Sequence, residues 1–322
     1  MKFHPSRAQT PQHARFESLK YGMFIHFGLA TFSQDEFADR QADINLYAPT
    51  DLNPDQWIEV AAEAGMKYAV LTARHQQGHC LWPSRFTDFT VVNSPNTRDV
   101  VAEFVTSCRA RGIQPGLYYL LGWELKHQSQ LAPHSYANFL AHQIEELLTT
   151  YGPIFVMWFD IPFDLGPDSQ AILQRLYDLV KEIQPDCLVM LNSSEWDGCS
   201  IRRRQSSYNF KEIDGPLVDI WPADLINGER TPPAESGHKP NVAYNGQTYY
   251  LPMETCDTLS KYWFHIDGDT LKTTEQLLEL FQSTVGRGGN LLLDVPPDRS
   301  GRISEESRQA LLNLKRAIGS AL

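Results

Sequence analysis

The 322-residue chain predicts an α/β fold, a (β/α)8 TIM-like barrel that is irregular in its second half. Three observations predict it. Short apolar runs alternate with amphipathic helical stripes, the connection pattern of a parallel sheet. About eight strand candidates fit the length, which suits a closed barrel better than an open sheet. A composition of 42% hydrophobic and 11% aromatic residues supplies a large core. No internal repeat, low-complexity tract or linker interrupts the series, so one domain is expected over 1–322.

Tyr21 to Gly28 reads as the first strand. The next helix opens at Asn53-Pro54, a cap followed by proline at the first helical position. It carries Trp57, Val60, Ala61 and Ala64 on one face and stops at Gly65. Lys67 to His75 is the second strand. Val101, Phe104, Val105 and Cys108 form a helical stripe that ends at Gly112, and Ile113 to Leu121 is the third strand. Leu140, Ile144, Leu147 and Leu148 lead through Gly152 into Ile154 to Phe159, a buried strand closed by Asp160. Leu173, Leu176, Val180 and Ile183 lead through Pro185 into the fifth strand, Cys187 to Asn192. From Ser193 to Lys261 polar, Pro-rich and Gly-rich sequence breaks the pattern, with strands expected near Val218 to Trp221 and Met253 to Cys256. The pattern recovers with a helix over Glu275 to Val285, a strand over Asn290 to Val295 and a helix over Glu305 to Ile318.

A net charge of -11 argues against a nucleic-acid partner, which needs a positive face, and Arg202-Arg203-Arg204 is too short a basic run to supply one. Met1 to Gln12 is polar and lacks the apolar segment of a signal peptide, and no run approaches the ~18 apolar residues of a membrane span. Cys80, Cys108, Cys187, Cys199 and Cys256 form no CxxC pair. A reducing, cytoplasmic location and no cofactor are expected.

In a barrel of this kind the chemistry sits at the C-terminal ends of the strands. Asp160 closes "MWFD" there; His26, His75, Tyr118-Tyr119 and Asn192 close or nearly close four other strands. Packing alone would favour apolar residues at such places. Two chemistries compete for them. His26, His75, His79 and Asp160 could bind a metal, but strand one has a lone His rather than an H-x-H pair, and His75/His79 lack the Glu of H-E-x-x-H. Glycoside hydrolysis instead needs two carboxylates across one sugar, with aromatics and His around the hydroxyls. Trp82, Trp123, Trp158, Trp196, Trp221 and Trp263 are a generous aromatic supply, although aromatic-rich barrels are also often just well packed.

Taken in order, "KYGMFIHFG", "GMKYAVLTARHQQGHCLWPSRFTDF", "GLYYLLGWE", "MWFD" and "VGRGGNLLLDVPPDRSGRI" form one colinear series over roughly 15–318. The series resembles the α-L-fucosidases of glycoside hydrolase family 29; the second and last motifs are its specific members. The resemblance implies a retaining, exo-acting hydrolase of terminal α-L-fucosyl residues, with Asp160 as nucleophile and a fucosylated oligosaccharide or glycoside as substrate. It implies that His26 and His75 bind sugar hydroxyls, with Trp158 and Tyr119 beside them. Glu36 and Phe37 fall where the family places a Glu-Trp pair; Phe keeps the stacking face and drops the indole donor. No metal is implied.

The sequence departs from the family at two places. Gln76 stands where a second His is usual, and an amide hydrogen-bonds a hydroxyl without titrating near neutrality. The chain stops at Leu322, so the C-terminal β-sandwich of many members is not expected. The acid/base is a choice: Glu229 matches the family's spacing after Asp224, Glu254 in "METC" matches a segment that is often structural, and Glu195 is third. Arg202 to Arg204 are the candidates for a pocket arginine. Retention requires the two carboxyl groups about 5–5.5 Å apart. A metal-dependent barrel hydrolase and a carbohydrate-binding protein without catalysis remain the competing readings.

Overall fold

Eight strands that are apolar on both faces close into a parallel barrel. In chain order they are β1 Tyr21–Ile25, β2 Tyr68–Arg74, β3 Gln114–Leu120, β4 Val156–Asp160, β5 Leu188–Asn192, β6 Leu225–Asn227, β7 Met253–Thr258 and β8 Asn290–Asp294. Each pairs with its neighbour in sequence, and β8 closes on β1 through Tyr21↔Leu291 to Phe24↔Asp294. The computed structural model describes residues 2–36, 42–166, 168–192, 201–202, 217–218 and 221–319, with backbone only at 163, 164, 201, 202, 217 and 218.

Alternation along each strand separates two cores. Phe24, Tyr68, Val70, Tyr118, Trp158 and Met190 fill the barrel interior. Met23, Ile25, Leu71, Leu117, Tyr119 and Phe159 point outward to the helices. Gly22 on β1 makes room for the interior: a Cβ there would stand 2.5 Å from the Tyr68 ring.

The helices are α1 Pro11–Leu19, α2 Leu29–Ser33, α3 Pro54–Ala64, α4 Val100–Ala110, α5 Pro133–Thr150, α6 Ser169–Ile183, α7 Thr274–Val285 and α8 Glu305–Ile318. α3 forms as its sequence demands. The Asn53 side chain accepts from Gln56 N at 3.0 Å, Pro54 opens the first turn, and Gly65 ends the helix at φ 87°. Trp57, Val60, Ala61 and Ala64 are all buried. Among the described residues no helix is long and apolar enough to cross a membrane.

The irregular half departs from expectation at the sixth strand. The segment predicted near Val218 to Trp221 contributes Leu217–Val218 to a two-stranded ribbon with Ile201–Arg202, outside the barrel. The barrel strand is Leu225–Asn227, joined to β5 through Met190↔Leu225 and Leu191↔Ile226 and to β7 through Ile226↔Met253 and Asn227↔Glu254. Three residues carry too little periodicity to announce a strand. Side chains reinforce it instead: Asp224 accepts from Val189 N at 2.9 Å and Tyr177 OH at 2.7 Å and pairs with Lys181 at 2.6 Å. A hairpin of Asn241–Tyr244 and Gln247–Tyr250, turning at Asn245-Gly246 with both φ positive, packs Val242 and Tyr249 with Ile226.

Candidate active site

The C-terminal strand ends surround a pocket of about 220 Å³, below the ~300–1,000 Å³ of sites for drug-sized ligands and suited to one sugar ring. Asp160 is the last residue of β4. Because Trp158 faces the barrel interior, Asp160 two residues later faces the same way, into the pocket. Its Oδ2 accepts from Tyr118 OH at 2.7 Å, and its Oδ1 accepts from Ile161 N and Asn192 Nδ2, both at 2.9 Å. Burial and the Asp160 charge push the Tyr118 phenol well up, which keeps it a donor.

The same Asn192 nitrogen lies 2.9 Å from Glu229 Oε2. Two oxygens that each sit 2.9 Å from one nitrogen cannot be further apart than twice that distance. Burial, then the Asp160 charge, push Glu229 up to about 7. Glu229 lies two residues past the end of β6, so the three-residue strand sets its place.

Glu254, the second acid/base candidate, lies in the layer beneath. It is 1% exposed, and its two oxygens accept from Tyr68 OH at 2.6 Å and Trp158 Nε1 at 2.9 Å. Burial raises it also to about 7, yet it does not line the pocket. Glu195 lies outside the described residues, as do Phe37, Trp196, Arg203 and Arg204.

His26 follows β1 and lines the pocket. Its Nδ1 lies 2.7 Å from Asp294 Oδ1 at the end of β8, leaving Nε2 for a ligand. Burial holds His26 down to about 3, so the ring is neutral near pH 7. His75 is likewise lowered by burial; its ring stacks on Tyr118 at 5.5 Å, and Nδ1 has no partner among the described residues. Gln76 lines the pocket with a buried Oε1 that has no partner among the described residues. Glu36 lines it too and accepts from the amides of Trp263 and Phe264; burial raises its pKa against those two bonds. Phe24, Trp263 and Phe264 give the pocket an apolar wall.

Tyr119 needs correction. It faces outward, fully buried, its OH donating to Gln143 at 2.6 Å with the Arg74 guanidinium 5.1 Å from its ring. Tyr118, the register partner of Trp158, takes the pocket position. Both tyrosines are buried, as a parallel strand requires, so burial pattern alone cannot separate them. Of the remaining tryptophans, Trp123 and Trp158 line the pocket. Trp82 donates to Glu146 at 2.8 Å, and Trp221 belongs to the satellite cluster near the hairpin.

The four residues weighed as metal ligands do not converge. His79 is turned to Ser94 Oγ at 2.9 Å and does not line the pocket. Among the described residues no group of three His, Cys, Asp or Glu side chains is placed to hold an ion.

Three contributors escaped the sequence. Asp294 orients His26; "LLLD" repeats the signal of "MWFD", an apolar strand closed by a carboxylate. Asn227 donates to Asn192 Oδ1 at 2.9 Å. Arg230, at φ 51°, lays its guanidinium 5.0 Å from the Trp263 ring and acts electrostatically on Glu229 and His26. The rim is braced as well. Arg74, fully buried, pairs with Glu124 at 3.2 Å, while Glu124 also accepts from the amides of Lys126, His127 and Gln128. Burial alone would raise Glu124, but Arg74 and these donors hold it at about 2.

The alpha-L-fucosidase family model matches residues 35–318. Alpha-L-fucosidase 1 of Arabidopsis thaliana is 31% identical over 312 residues, 94% of this chain and 58% of that protein, so this chain spans little more than half of that relative's length. Alpha-L-fucosidase isoenzyme 1 from Paenibacillus thiaminolyticus aligns at TM-score 0.76 and 27% identity over 96% of this chain and 75% of its own. Alpha-L-fucosidase AlfC from Lactobacillus casei, in complex with its alpha-L-fucose product, has the same fold at TM-score 0.72 and 22% identity, over 96% of this chain and 98% of its own. With a family match from residue 35 to residue 318, this chain belongs to the alpha-L-fucosidase family.

Proposed function

We propose that the chain is a retaining, exo-acting α-L-fucosidase. The observation that carries this is the amide of Asn192 shared between Asp160 Oδ1 and Glu229 Oε2. Carboxyl groups whose facing oxygens share one donor suit the ~5–5.5 Å spacing of a retaining enzyme better than the ~6.5–9.5 Å that an inverting enzyme needs for an intervening water. Family membership and the apolar wall of Phe24, Trp263 and Phe264 support fucose, whose C5 carries a methyl where galactose carries a hydroxymethyl.

In the first step Asp160 forms a bond to the anomeric carbon as the glycosidic C–O bond breaks, and Glu229 gives its proton to the departing oxygen. Once Asp160 is esterified its negative charge is gone, so the pKa of Glu229 falls and the carboxylate becomes a base. In the second step it takes a proton from water, which attacks the anomeric carbon and releases Asp160. Neutral His26 and His75, the Gln76 amide and Glu36 hold the ring hydroxyls meanwhile.

The test is hydrolysis of 4-nitrophenyl α-L-fucoside against the matching galactoside and arabinoside, with NMR following the sugar as it is released. α-L-Fucose is expected first. Release of the β anomer first would mean inversion, and fucose binding without turnover would favour the non-catalytic reading.

A further inference from the structure

We infer that Asn192 is a positioning residue: its side-chain amide holds the nucleophile and the acid at a set separation and dictates that Glu229 presents its proton on Oε1. This rests on the retaining reading above.

Asn192 ends β5 and is the register partner of Asp160 on β4, so the two side chains stand side by side at the barrel mouth. It is 1% exposed. Asn227, wholly buried at the end of β6, donates its Nδ2 to Asn192 Oδ1 at 2.9 Å. That bond selects the amide orientation; the reverse would aim a carbonyl oxygen at two carboxylates. Among the described residues Asn192 Nδ2 donates to Asp160 Oδ1 and Glu229 Oε2, each at 2.9 Å, and its two hydrogens allow both bonds. An oxygen that receives this N–H cannot also hold a proton pointing along it. A carbonyl oxygen accepts an N–H better than a hydroxyl oxygen does, so the Asn192 bond to Oε2 favours the proton of Glu229 on Oε1.

The same bond acts on the acid's strength. Glu229 is faced by Asp160 from β4, Tyr118 from β3, Cys256 and Asp257 from β7, and Arg230 beside it in the chain. Burial and Asp160 raise its pKa, whereas the Asn192 donor, ahead of Arg230, lowers it. Burial and Asp160 thus keep the acid weak enough to hold a proton in the first step, and Asn192 keeps it strong enough to lose it for the second.

The test compares Asn192→Leu, similar in shape but without the donor, and Asn227→Ala, which leaves Asn192 in place but frees its amide to turn. Two quantities are read: the pH profile of kcat/KM, and the ratio of activity on a fucosyl disaccharide to that on 2,4-dinitrophenyl fucoside. Asn192→Leu is expected to lift the basic limb by about one pH unit, the equivalent of one hydrogen bond to a charged group. It should lower kcat/KM on the disaccharide about 100-fold and on the activated substrate about tenfold or less. Asn227→Ala should move both quantities the same way by less. Equal losses on both substrates with the basic limb unmoved would overturn the inference, because packing defects do not discriminate leaving groups. Wild-type turnover and azide rescue of Glu229→Ala test the underlying reading separately; failure of either removes the inference with it.

Discussion

The mouth of the barrel and the layer beneath it each hold a glutamate raised to about 7, chiefly by burial. At the mouth, Glu229 accepts, among the described residues, one side-chain hydrogen bond, on Oε2, and faces the pocket. One layer down, Glu254 has both oxygens engaged, by Tyr68 and Trp158, and no route to a ligand. A perturbed pKa therefore does not distinguish a reacting group from a structural one. Access and an uncommitted oxygen do.

The largest effect that sharpens this contrast is at the proposed nucleophile. Asp160→Ala should lower kcat roughly 10⁴-fold or more with the thermal melt little changed, since a strand-end carboxylate contributes to the transition state rather than to packing. Near wild-type turnover would break the assignment. Glu229→Ala comes next: about 10²- to 10⁴-fold on a poor leaving group and far less on 2,4-dinitrophenyl fucoside. Azide should restore its turnover as a fucosyl azide of retained configuration. Rescue in Glu254→Ala instead would exchange the roles of the two glutamates.

Glu254→Ala should show its effect in stability, about 2–4 kcal/mol from two buried donors left without an acceptor, measured by denaturant unfolding. The pH dependence follows from the sign of the shift. Glu254 binds its proton more tightly folded than unfolded, so stability is greatest below the ordinary glutamate value of 4.5, falls as pH rises and levels off above about 7. Glu254→Gln should flatten that slope; an unchanged slope would show that other groups produce it. Glu229→Gln should do the same to a comparable extent, because the linkage depends on the shift and not on the role.

The smallest contrast lies within one dipeptide. Tyr118→Phe removes the donor to Asp160 and should cost about 10- to 100-fold in kcat. Tyr119→Phe removes a bond to Gln143 and should cost about 1 kcal/mol of stability with kcat unchanged. The reverse result would return Tyr119 to the pocket.

Much of the fold was legible in the chain. The capped helix at Asn53-Pro54, the apolar runs ending at His26, His75, Asp160 and Asn192, and the closing "LLLD" strand announce their elements locally. Legibility failed at β6, where three residues become a strand only because β5 and β7 flank them and Asp224 secures the edge. It failed at Tyr118-Tyr119 because a strand buried on both faces hides which residue points inward.

The sequence by itself determined the alternation of strands and helices, and hence the barrel, because periodicity and capping are set by neighbours along the chain. It also placed Asp160 and His26 at the barrel mouth, since a polar residue closing an apolar strand falls there in this fold. Only the tertiary structure decided that Glu229 rather than Glu254 opens to the pocket, that Tyr118 rather than Tyr119 meets Asp160, and that Asp294 orients His26 from 268 residues away. Those outcomes depend on register between strands and on burial by distant side chains, and neither quantity exists until the sheet has closed.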